Sequence, residues 1–375
     1  MKRERILCAM SGGVDSSVAA LLLEKKGYEV VGIFMNFWSD YDKKENKNLC
    51  CSPKSLISAR LVASKLGIKL YTMNFKKIFK EKIVDYYIES YENGKTPNPC
   101  AVCNQHIKFG KLLQIAKSLK INKIATGHYA RIEKNRKYKL LRGFDLKRDQ
   151  SYFLWKIKKD ILPFVELPIG NLSKKSVREL AKNAGLSSHN KKESRGVCFT
   201  GSSNSLFLKK YAKRLISPGN VVDKSSQVIG RHKGLAFYTI GQRSGFKVTR
   251  DKWRLSGEDS PPLYIRNLDV KKNQLIVDVD RNIHKSKLKL NDINWLNDKA
   301  RLKAKDKEGL KCTAQIRYMH KDQPCLVRTH ANYLTVVFNK PQRAVTPGQS
   351  CVFYKKDILL GGGTIRYDNK EQKQN

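Results

Sequence analysis

The chain has 375 residues, with 75 Lys and Arg against 33 Asp and Glu, so its formal net charge is +42. Apolar residues make up 40% of the chain, which is enough for two or three folded domains and excludes wholesale disorder. No segment approaches the ~18 consecutive apolar residues of a membrane span, and the apolar run at residues 6–10 is too short for a signal peptide. We therefore expect a cytoplasmic protein with no membrane contact.

The first half of the chain alternates strand-like and helix-like segments. Short apolar runs predict strands at residues 5–10, 29–34, 68–74 and 123–126. Helices are predicted at residues 18–26, 55–66, 76–91 and 104–119. Residues 94–103 contain two prolines and are predicted to be a loop. Strands that alternate with helices indicate a parallel, doubly wound α/β sheet.

The pattern changes at about residue 202. One helix near residues 205–215 is followed by short apolar runs that predict strands at 235–240, 263–267, 274–279, 315–318, 333–338 and 350–354. Such runs indicate small β-rich domains, the last of them barrel-like. We therefore expect a catalytic domain at 1–203, a small central domain at 204–282 and a β-rich C-terminal domain at 283–375.

The basic excess indicates a polyanionic partner, for which nucleic acid is the first candidate. The chain is also rich in Lys and Asn throughout, so a compositional bias of the source genome is an alternative origin for much of the charge. A surface of this charge binds polyanions whichever explanation holds.

A glycine- and serine-rich segment, Ser-Gly-Gly-Val-Asp-Ser-Ser at residues 11–17, lies between the first strand and the first helix. Ligands bind at this carboxyl edge of a parallel sheet, where glycines let backbone N–H groups approach an anion and the helix N-terminus adds positive charge. The segment therefore predicts a phosphate site, whereas a bare glycine pair would indicate only a turn. It is neither a Walker A loop nor a dinucleotide-binding motif.

Nine cysteines are spread unevenly over the chain, which is not the pattern of a disulfide framework. Cys103 is predicted just before a helix and Cys198 lies in a basic loop, and both settings favour the thiolate form. The alternative for each is a buried, inert thiol. Cys100, Cys103 and Cys198 together are alternatively ligands of an iron–sulfur cluster, although a single Cys-x-x-Cys pair does not complete a zinc site. We predict no resident metal site.

The phosphate-site segment resembles the signature of the PP-loop ATP pyrophosphatases, which cleave ATP between its α- and β-phosphates and adenylate an oxygen of the substrate. Within that superfamily the chain resembles the bacterial tRNA-specific 2-thiouridylases over nearly its whole length. The resemblance rests on ordered matches at residues 11–17, 96–109, 125–131, 149–154, 192–201, 238–245, 262–265, 315–318, 344–354 and 360–365.

This resemblance implies an ATP site and a pair of reactive cysteines. The ATP phosphates would be held by Ala9, Met10, Ser11, Gly12, Gly13, Val14, Asp15 and Ser16. Met35 and Gly127 would lie near the nucleotide. Cys103 would be the nucleophile, and Cys198 would carry a persulfide.

It also implies a set of contacts with tRNA. The target base would face Asn98, Pro99 and Cys100. The remaining tRNA contacts would be made by His128, Asp149, Gln150, Ser151, Arg317, Tyr318 and Gln349.

The chain departs from the family pattern in two segments. Lys54 and Ile57 stand in a segment that usually carries aspartates, so no function is transferred to it. Cys100 occupies a position where some members have aspartate, which leaves open where a general base would be found.

The resemblance thus implies ATP-dependent 2-thiolation of the wobble uridine of tRNA. ATP with Mg²⁺, tRNA and a sulfur-carrier protein that donates persulfide sulfur would be the partners of a monomeric enzyme. The residues alone leave two other classes open. One is another PP-loop adenylating ligase, similar to a lysidine synthetase, in which the cysteines are structural. The other is an RNA-binding protein that keeps the fold without catalysis.

Overall fold

The computed structural model of the chain describes residues 3–39, 52–191, 196–201, 203–249 and 261–367. The helices are α1 (Val14–Lys25), α2 (Pro53–Lys65), α3 (a continuous run of Lys76–Phe79, π-helical Lys80–Val84 and Asp85–Glu92), α4 (a continuous run of Pro99–Cys103, π-helical Asn104–Lys111 and Leu112–Ser118), α5 (Lys174–Asn183), α6 (Asn204–Tyr211) and α7 (Asp298–Lys305).

Eighteen strands of the described chain form three sheets. The first nine are β1 (Arg5–Ala9), β2 (Glu29–Asn36), β3 (Lys69–Asn74), β4 (Lys123–Ala125), β5 (Ala130–Asn135), β6 (Lys137–Arg142), β7 (Val165–Glu166), β8 (Gly219–Val222) and β9 (Val228–His232). The others are β10 (Lys247–Val248), β11 (Leu263–Asp269), β12 (Gln274–Val279), β13 (His284–Trp295), β14 (Leu310–Gln315), β15 (Gln323–Thr329), β16 (Leu334–Arg343), β17 (Ser350–Lys355) and β18 (Ile358–Arg366).

The N-terminal sheet is parallel throughout, in the order β3-β2-β1-β4-β7. Its central strand β1 is an almost unbroken apolar run, as expected for a strand that is buried on both faces. Ile6 and Cys8 pack into one hydrophobic cluster with α1, whereas Leu7 and Ala9 pack into another with α3 and α4. Helices therefore cover both faces, and the predicted doubly wound fold is confirmed. The order in which successive strands are added reverses at β1, between β2 and β4, and such sheets bind ligands at this switch point.

The central sheet is small and mixed, in the order β10-β9-β8-β12-β11. Strands β8 and β12 pair in parallel, and the other pairs are antiparallel.

The C-terminal sheet closes on itself. Six strands follow one another in the order β13-β16-β15-β14-β17-β18, and β18 then pairs with β13. Closure leaves no exposed edge on the ring, and apolar side chains fill its interior. The predicted barrel is therefore confirmed. The hairpin β5–β6 of the N-terminal part extends this sheet through a pairing of Leu141 with Ile358.

Three local predictions were wrong. The strand predicted at 315–318 is the turn that follows β14, which ends at Gln315. The strand predicted at 235–240 is a 3₁₀ turn, Leu235–Phe237, followed by irregular chain. The loop predicted at 94–103 ends early, because α4 begins at Pro99. The Asn98 side chain accepts a hydrogen bond from the N–H of Ala101 at 3.3 Å, so asparagine at the N-cap and proline at the first helical position start the helix.

No helix within the described ranges is long and apolar enough to cross a membrane.

Ser350 joins the barrel to the N-terminal part of the chain. Its buried hydroxyl accepts hydrogen bonds from Asn98 Nδ2 at 2.9 Å and Trp155 Nε1 at 2.8 Å. Its backbone carbonyl accepts from the hydroxyl of Tyr152 at 2.9 Å. Three buried donors of one domain thus converge on one residue of another.

Replacing Ser350 by alanine should leave two buried N–H donors without an acceptor. Each such donor costs about 1–3 kcal/mol, so we expect Ser350→Ala to lower the free energy of unfolding by about that amount or more. Urea unfolding measures it. Ser118→Ala, at an exposed helix end, is the matched control and should change stability by less than about 0.5 kcal/mol. Equal stability of the two variants would contradict the role of Ser350.

Candidate active site

The loop between β1 and α1 exposes backbone donors at a helix start. Gly13 is the N-cap residue of α1 and has no side chain to accept from the first-turn N–H groups. These donors and the positive end of the helix dipole therefore face the loop. We call this arrangement the cradle; it suits an anion at the carboxyl end of β1, and phosphate binding there stays a prediction.

Two serines of the cradle have different tasks. Ser16 is buried, and its Oγ accepts from the N–H of Ser11 at 3.1 Å and donates to the Gly13 carbonyl at 3.0 Å. It therefore holds the loop closed. Ser11 is exposed, and its hydroxyl lies 3.2 Å from that of Ser16. Ser11 is thus the hydroxyl that is accessible to a ligand.

Gly12 has a positive φ of +73°, a conformation that favours glycine. A Cβ atom there would lie 2.1 Å from the carbonyl oxygen of Ser55 in α2. The sequence pattern predicts a bound phosphate close to this glycine, whereas the backbone of α2 occupies the space beside it. Gly127 is equally confined, since a Cβ atom would lie 2.8 Å from the Ser16 nitrogen. Both glycines allow close approach of backbone at the cradle.

Three charged or hydroxyl side chains that the sequence argument missed surround the cradle. Lys174 Nζ lies 2.7 and 2.9 Å from the two carboxylate oxygens of Asp15, and the Tyr129 hydroxyl donates to the same carboxylate at 2.7 Å. Lys191 Nζ donates to the Gly12 carbonyl at 3.1 Å. Two lysines therefore add positive charge to the anion site. The sequence alone does not distinguish these two lysines from the many other basic residues of the chain.

The two candidate catalytic cysteines share one hydrophobic cluster. Cys103 is buried within it on α4, and Cys198 is partly buried against it. Phe199 packs edge-on against Tyr87 of α3, with ring centroids 5.2 Å apart. Burial raises the pKa of Tyr87 above its usual value, and the Cys100 thiol adds a smaller electrostatic contribution. Tyr87 thus links the Cys198 segment to the Cys-x-x-Cys helix.

The segment before α4 lies against the barrel. Gln349 Nε2 donates to the carbonyls of Thr96 and Pro97, at 3.0 and 3.2 Å. Asn98 is buried at this seam and Cys100 is exposed beside it. Asn98, Pro99 and Cys100, predicted to face the target base, therefore lie where the first and last domains meet.

Comparison with known proteins identifies the family. The model described as "tRNA methyl transferase HUP domain" matches residues 4–202, the "PRC-barrel domain" of the same series matches 205–278, and the "Aminomethyltransferase beta-barrel domain" matches 285–365. A tRNA-specific 2-thiouridylase of Clostridioides difficile is 39% identical over 96% of this chain and 98% of its own length. That of Carboxydothermus hydrogenoformans is 42% identical over 97% and 98%. The chain belongs to the tRNA-specific 2-thiouridylase family. The resemblance seen in the sequence is confirmed.

His128 of this 2-thiouridylase-family chain is buried beside the cradle. Its Nδ1 lies 2.8 Å from the Thr126 hydroxyl, and its ring is 5.6 Å from that of Phe109. Burial holds its pKa well below the usual value, and the charge of Lys108 lowers it further. The imidazole is therefore neutral at physiological pH. Its predicted contact with tRNA stays a prediction.

Hydrogen bonds and an ion pair with other residues of the chain hold the Asp149–Ser151 motif in place. Asp149 accepts from the N–H groups of Gly143 and Ser151 at 2.9 and 3.0 Å, and it pairs with Arg142. Gln150 Oε1 accepts from the N–H of Tyr129 at 3.0 Å. These bonds position the chain next to the cradle. Contacts of Asp149, Gln150 and Ser151 with tRNA remain predictions.

Arg317 and Tyr318 lie in the loop at residues 316–322, which joins β14 to β15 of the barrel. The Tyr318 ring packs on Phe153 with centroids 4.5 Å apart. The Arg317 guanidinium donates to the Arg343 carbonyl at 3.3 Å, and partial burial, followed by the Arg343 charge, lowers its pKa. This loop therefore reaches the N-terminal domain close to the Asp149–Ser151 motif.

Substitutions at the two cradle glycines should behave differently. Gly12→Ala places a methyl group 2.1 Å from a backbone oxygen at positive φ, so we expect lost ATP use and a lower melting temperature. Gly13→Ala is the matched control, because its nearest foreign neighbour is the Ser11 hydroxyl at 3.6 Å and its φ is −88°. It should fold normally. Thermal unfolding and tRNA-dependent pyrophosphate release report the two effects, and a fully active, stable Gly12→Ala variant would exclude this account.

Proposed function

We propose that the chain is an ATP-dependent tRNA-uridine 2-sulfurtransferase that forms 2-thiouridine at the wobble position of tRNA. The observation that carries the proposal is the approach of the cysteine loop to the anion cradle. Lys191, seven residues before Cys198, donates to the carbonyl of Gly12 within the cradle. The names of the curated relatives, tRNA-specific 2-thiouridylases, support the same substrate and reaction.

The cradle accounts for the first step. A carbonyl oxygen is a poor leaving group, so the 2-oxygen of uridine attacks the α-phosphorus of ATP and pyrophosphate departs. The first-turn N–H groups of α1, the Ser11 hydroxyl and the two lysines stabilise the negative charge of the phosphates. The product is an adenylated base from which AMP can leave.

The cysteines account for the second step. A sulfur-carrier protein of unknown identity loads a persulfide onto Cys198. The Cys103 thiolate attacks the Cys198 sulfur, so a disulfide forms and hydrosulfide leaves; hydrosulfide then adds to the 2-carbon and expels AMP. In a direct variant the persulfide sulfur itself attacks the 2-carbon, and Cys103 forms the disulfide afterwards. In both, an external thiol reductant returns the two cysteines to thiols.

The described residues offer no group of side chains arranged as a metal or cluster site. In the ranges that the structure describes, no three His, Cys, Asp or Glu side chains lie close enough to hold a metal, and this includes Cys100, Cys103 and Cys198. The iron–sulfur alternative is therefore not supported by this geometry. Asp15 is already paired with Lys174, so we propose that Mg²⁺ arrives on the phosphates of ATP.

The seam between α4 and the barrel is the proposed site of the extruded uridine. Chemistry on a base requires the base to leave its stack, and Asn98 to Cys100 lie at this seam. We propose that the barrel, residues 283–375, binds tRNA through Arg317, Tyr318 and Gln349. Residues 1–203 would then carry catalysis, and residues 204–282 would connect the two; the matched family ranges support these limits.

Serine substitutions separate the roles of the two cysteines. Cys198→Ser should lose persulfide loading and all 2-thiouridine formation but retain tRNA-dependent pyrophosphate release, since adenylation needs no thiol. Cys103→Ser should still load sulfur and lose about two orders of magnitude or more in turnover. Labelled sulfur and nucleoside mass spectrometry measure both. Cys312→Ser, in the barrel wall, is the control and should remain active. Thiolation by Cys198→Ser would refute the assignment.

Binding of tRNA should depend steeply on salt. We expect the logarithm of the association constant to fall linearly with the logarithm of salt concentration, by about 0.7–0.9 per neutralised phosphate. Arg317→Ala should reduce this slope by about one, whereas Lys224→Ala, on an exposed turn of the central sheet, should not. Fluorescence titrations at several salt concentrations, on variants with unchanged melting temperatures, test this. An identical slope for the two variants would show that Arg317 makes no contact with a tRNA phosphate.

A further inference from the structure

A second pair of cysteines lies in the wall of the C-terminal barrel. Cys312 of β14 and Cys325 of β15 are directly opposite each other in an antiparallel pair, and their Sγ atoms are 3.8 Å apart. Opposed residues of such a pair have Cα atoms about 4.5–5.5 Å apart, which is within the range that a disulfide spans. Only the two sulfur atoms need to approach, to about 2.05 Å.

The two thiols differ in their surroundings. Cys312 is partly exposed, whereas Cys325 is buried in the barrel core. Cys351 of β17 is fully buried in the same cluster. The hydrogen bond with Cys312, and then burial, hold the pKa of Cys325 far above the usual value. Cys312 is therefore the member that a small solute can reach, and Cys325 stays protonated behind it.

We propose that Cys312 and Cys325 are an oxidative modification site that reacts with hydrogen peroxide to form a reversible cross-strand disulfide. The Cys312 sulfur attacks one peroxide oxygen, the O–O bond breaks, and a sulfenic acid and one water are formed. The Cys325 sulfur then displaces the hydroxyl group from Cys312, and a second water leaves with the Cys325 proton. Two thiols are oxidised by two electrons, and one peroxide is reduced to two waters.

The position of the pair defines what the disulfide does. Strands β14 and β15 lead directly into the loop that carries Arg317 and Tyr318. Because the cross-link joins residues that are already in register, it closes the base of this hairpin without moving the loop. If Cys325 is missing, oxidised Cys312 has no thiol opposite it and proceeds to sulfinic acid, which places a charge against the apolar core.

The experiment uses the full-length chain with Cys103→Ser and Cys198→Ser, because those two thiols also react with peroxide. After treatment with hydrogen peroxide, peptide mapping should find Cys312 and Cys325 joined, with a mass lower by about 2 Da that dithiothreitol restores. Cys351→Ala added to this background is the matched control and should form the same link. Cys312→Ser should not form it. None of these measurements requires tRNA, ATP or activity.

A further variant tests whether Cys325 protects Cys312 from oxidation beyond the sulfenic acid. Cys325→Ala should, after peroxide, carry two extra oxygens on Cys312, about 32 Da, that dithiothreitol does not remove, and its melting temperature should fall by several degrees. The parent, which is the Cys103→Ser, Cys198→Ser chain with both barrel thiols, should keep its melting temperature after peroxide or show a higher one. The proposal is overturned if Cys312 in the parent stays singly oxidised beside a reduced Cys325, or if either thiol links to Cys351 instead. Should Cys325→Ala fold poorly, peptide mapping of the parent still decides.

Discussion

The backbone at Gly12 is the constraint on which the site depends. Its left-handed conformation turns the chain from the end of β1 into α1, and its missing side chain lets α2 pack directly on the turn. The backbone carbonyl of Gly12 accepts hydrogen bonds from the Ser58 hydroxyl at 2.9 Å and from Lys191 Nζ at 3.1 Å. One peptide unit thus joins the strand, two helices and the segment that leads to Cys198. The first-turn N–H groups of α1 are aimed by this packing, without a dedicated binding side chain.

A second constraint is the seam between the N-terminal part and the barrel. The Ser350 hydroxyl and the Gln349 amide contact the segment before α4, and Asn98 takes part from the other side while it caps that helix. These directional bonds join buried or partly buried groups and fix orientation better than apolar contact alone. The barrel is therefore held in a fixed orientation relative to the helix that bears Cys103.

The cysteines show how location decides chemistry. Cys103 and Cys198 lie against one hydrophobic cluster, and Lys191, in the segment that leads to Cys198, donates to the Gly12 carbonyl. Cys312 and Cys325 lie in the wall of an apolar barrel with their sulfur atoms 3.8 Å apart, and the chemistry that we propose for them is oxidation. Cys8, buried within β1, has a pKa raised to about 12 by burial and is inert for that reason.

The local sequence determined much of this protein. Alternating apolar runs predicted the parallel sheet, and the Ser-Gly-Gly segment after the first run predicted the anion cradle, because strand, turn and helix start are properties of neighbouring residues. The start of α4 is also encoded locally, in Asn98 and Pro99, although the two prolines of this segment predict a loop.

Only the tertiary structure decided which charges serve the cradle. Lys174 and Lys191 are separated from their partners Asp15 and Gly12 by 159 and 179 residues. Nothing in the neighbourhood of either lysine distinguishes it in a chain with 75 basic residues, so local pattern carries no information about the pairing. The same holds for closure of the barrel, which depends on β18 meeting β13, and for the approach of Cys312 to Cys325, which depends on the register of two strands. Register is set by packing of the whole core, and a shift of one strand by one residue would place the two thiols on opposite faces of the sheet.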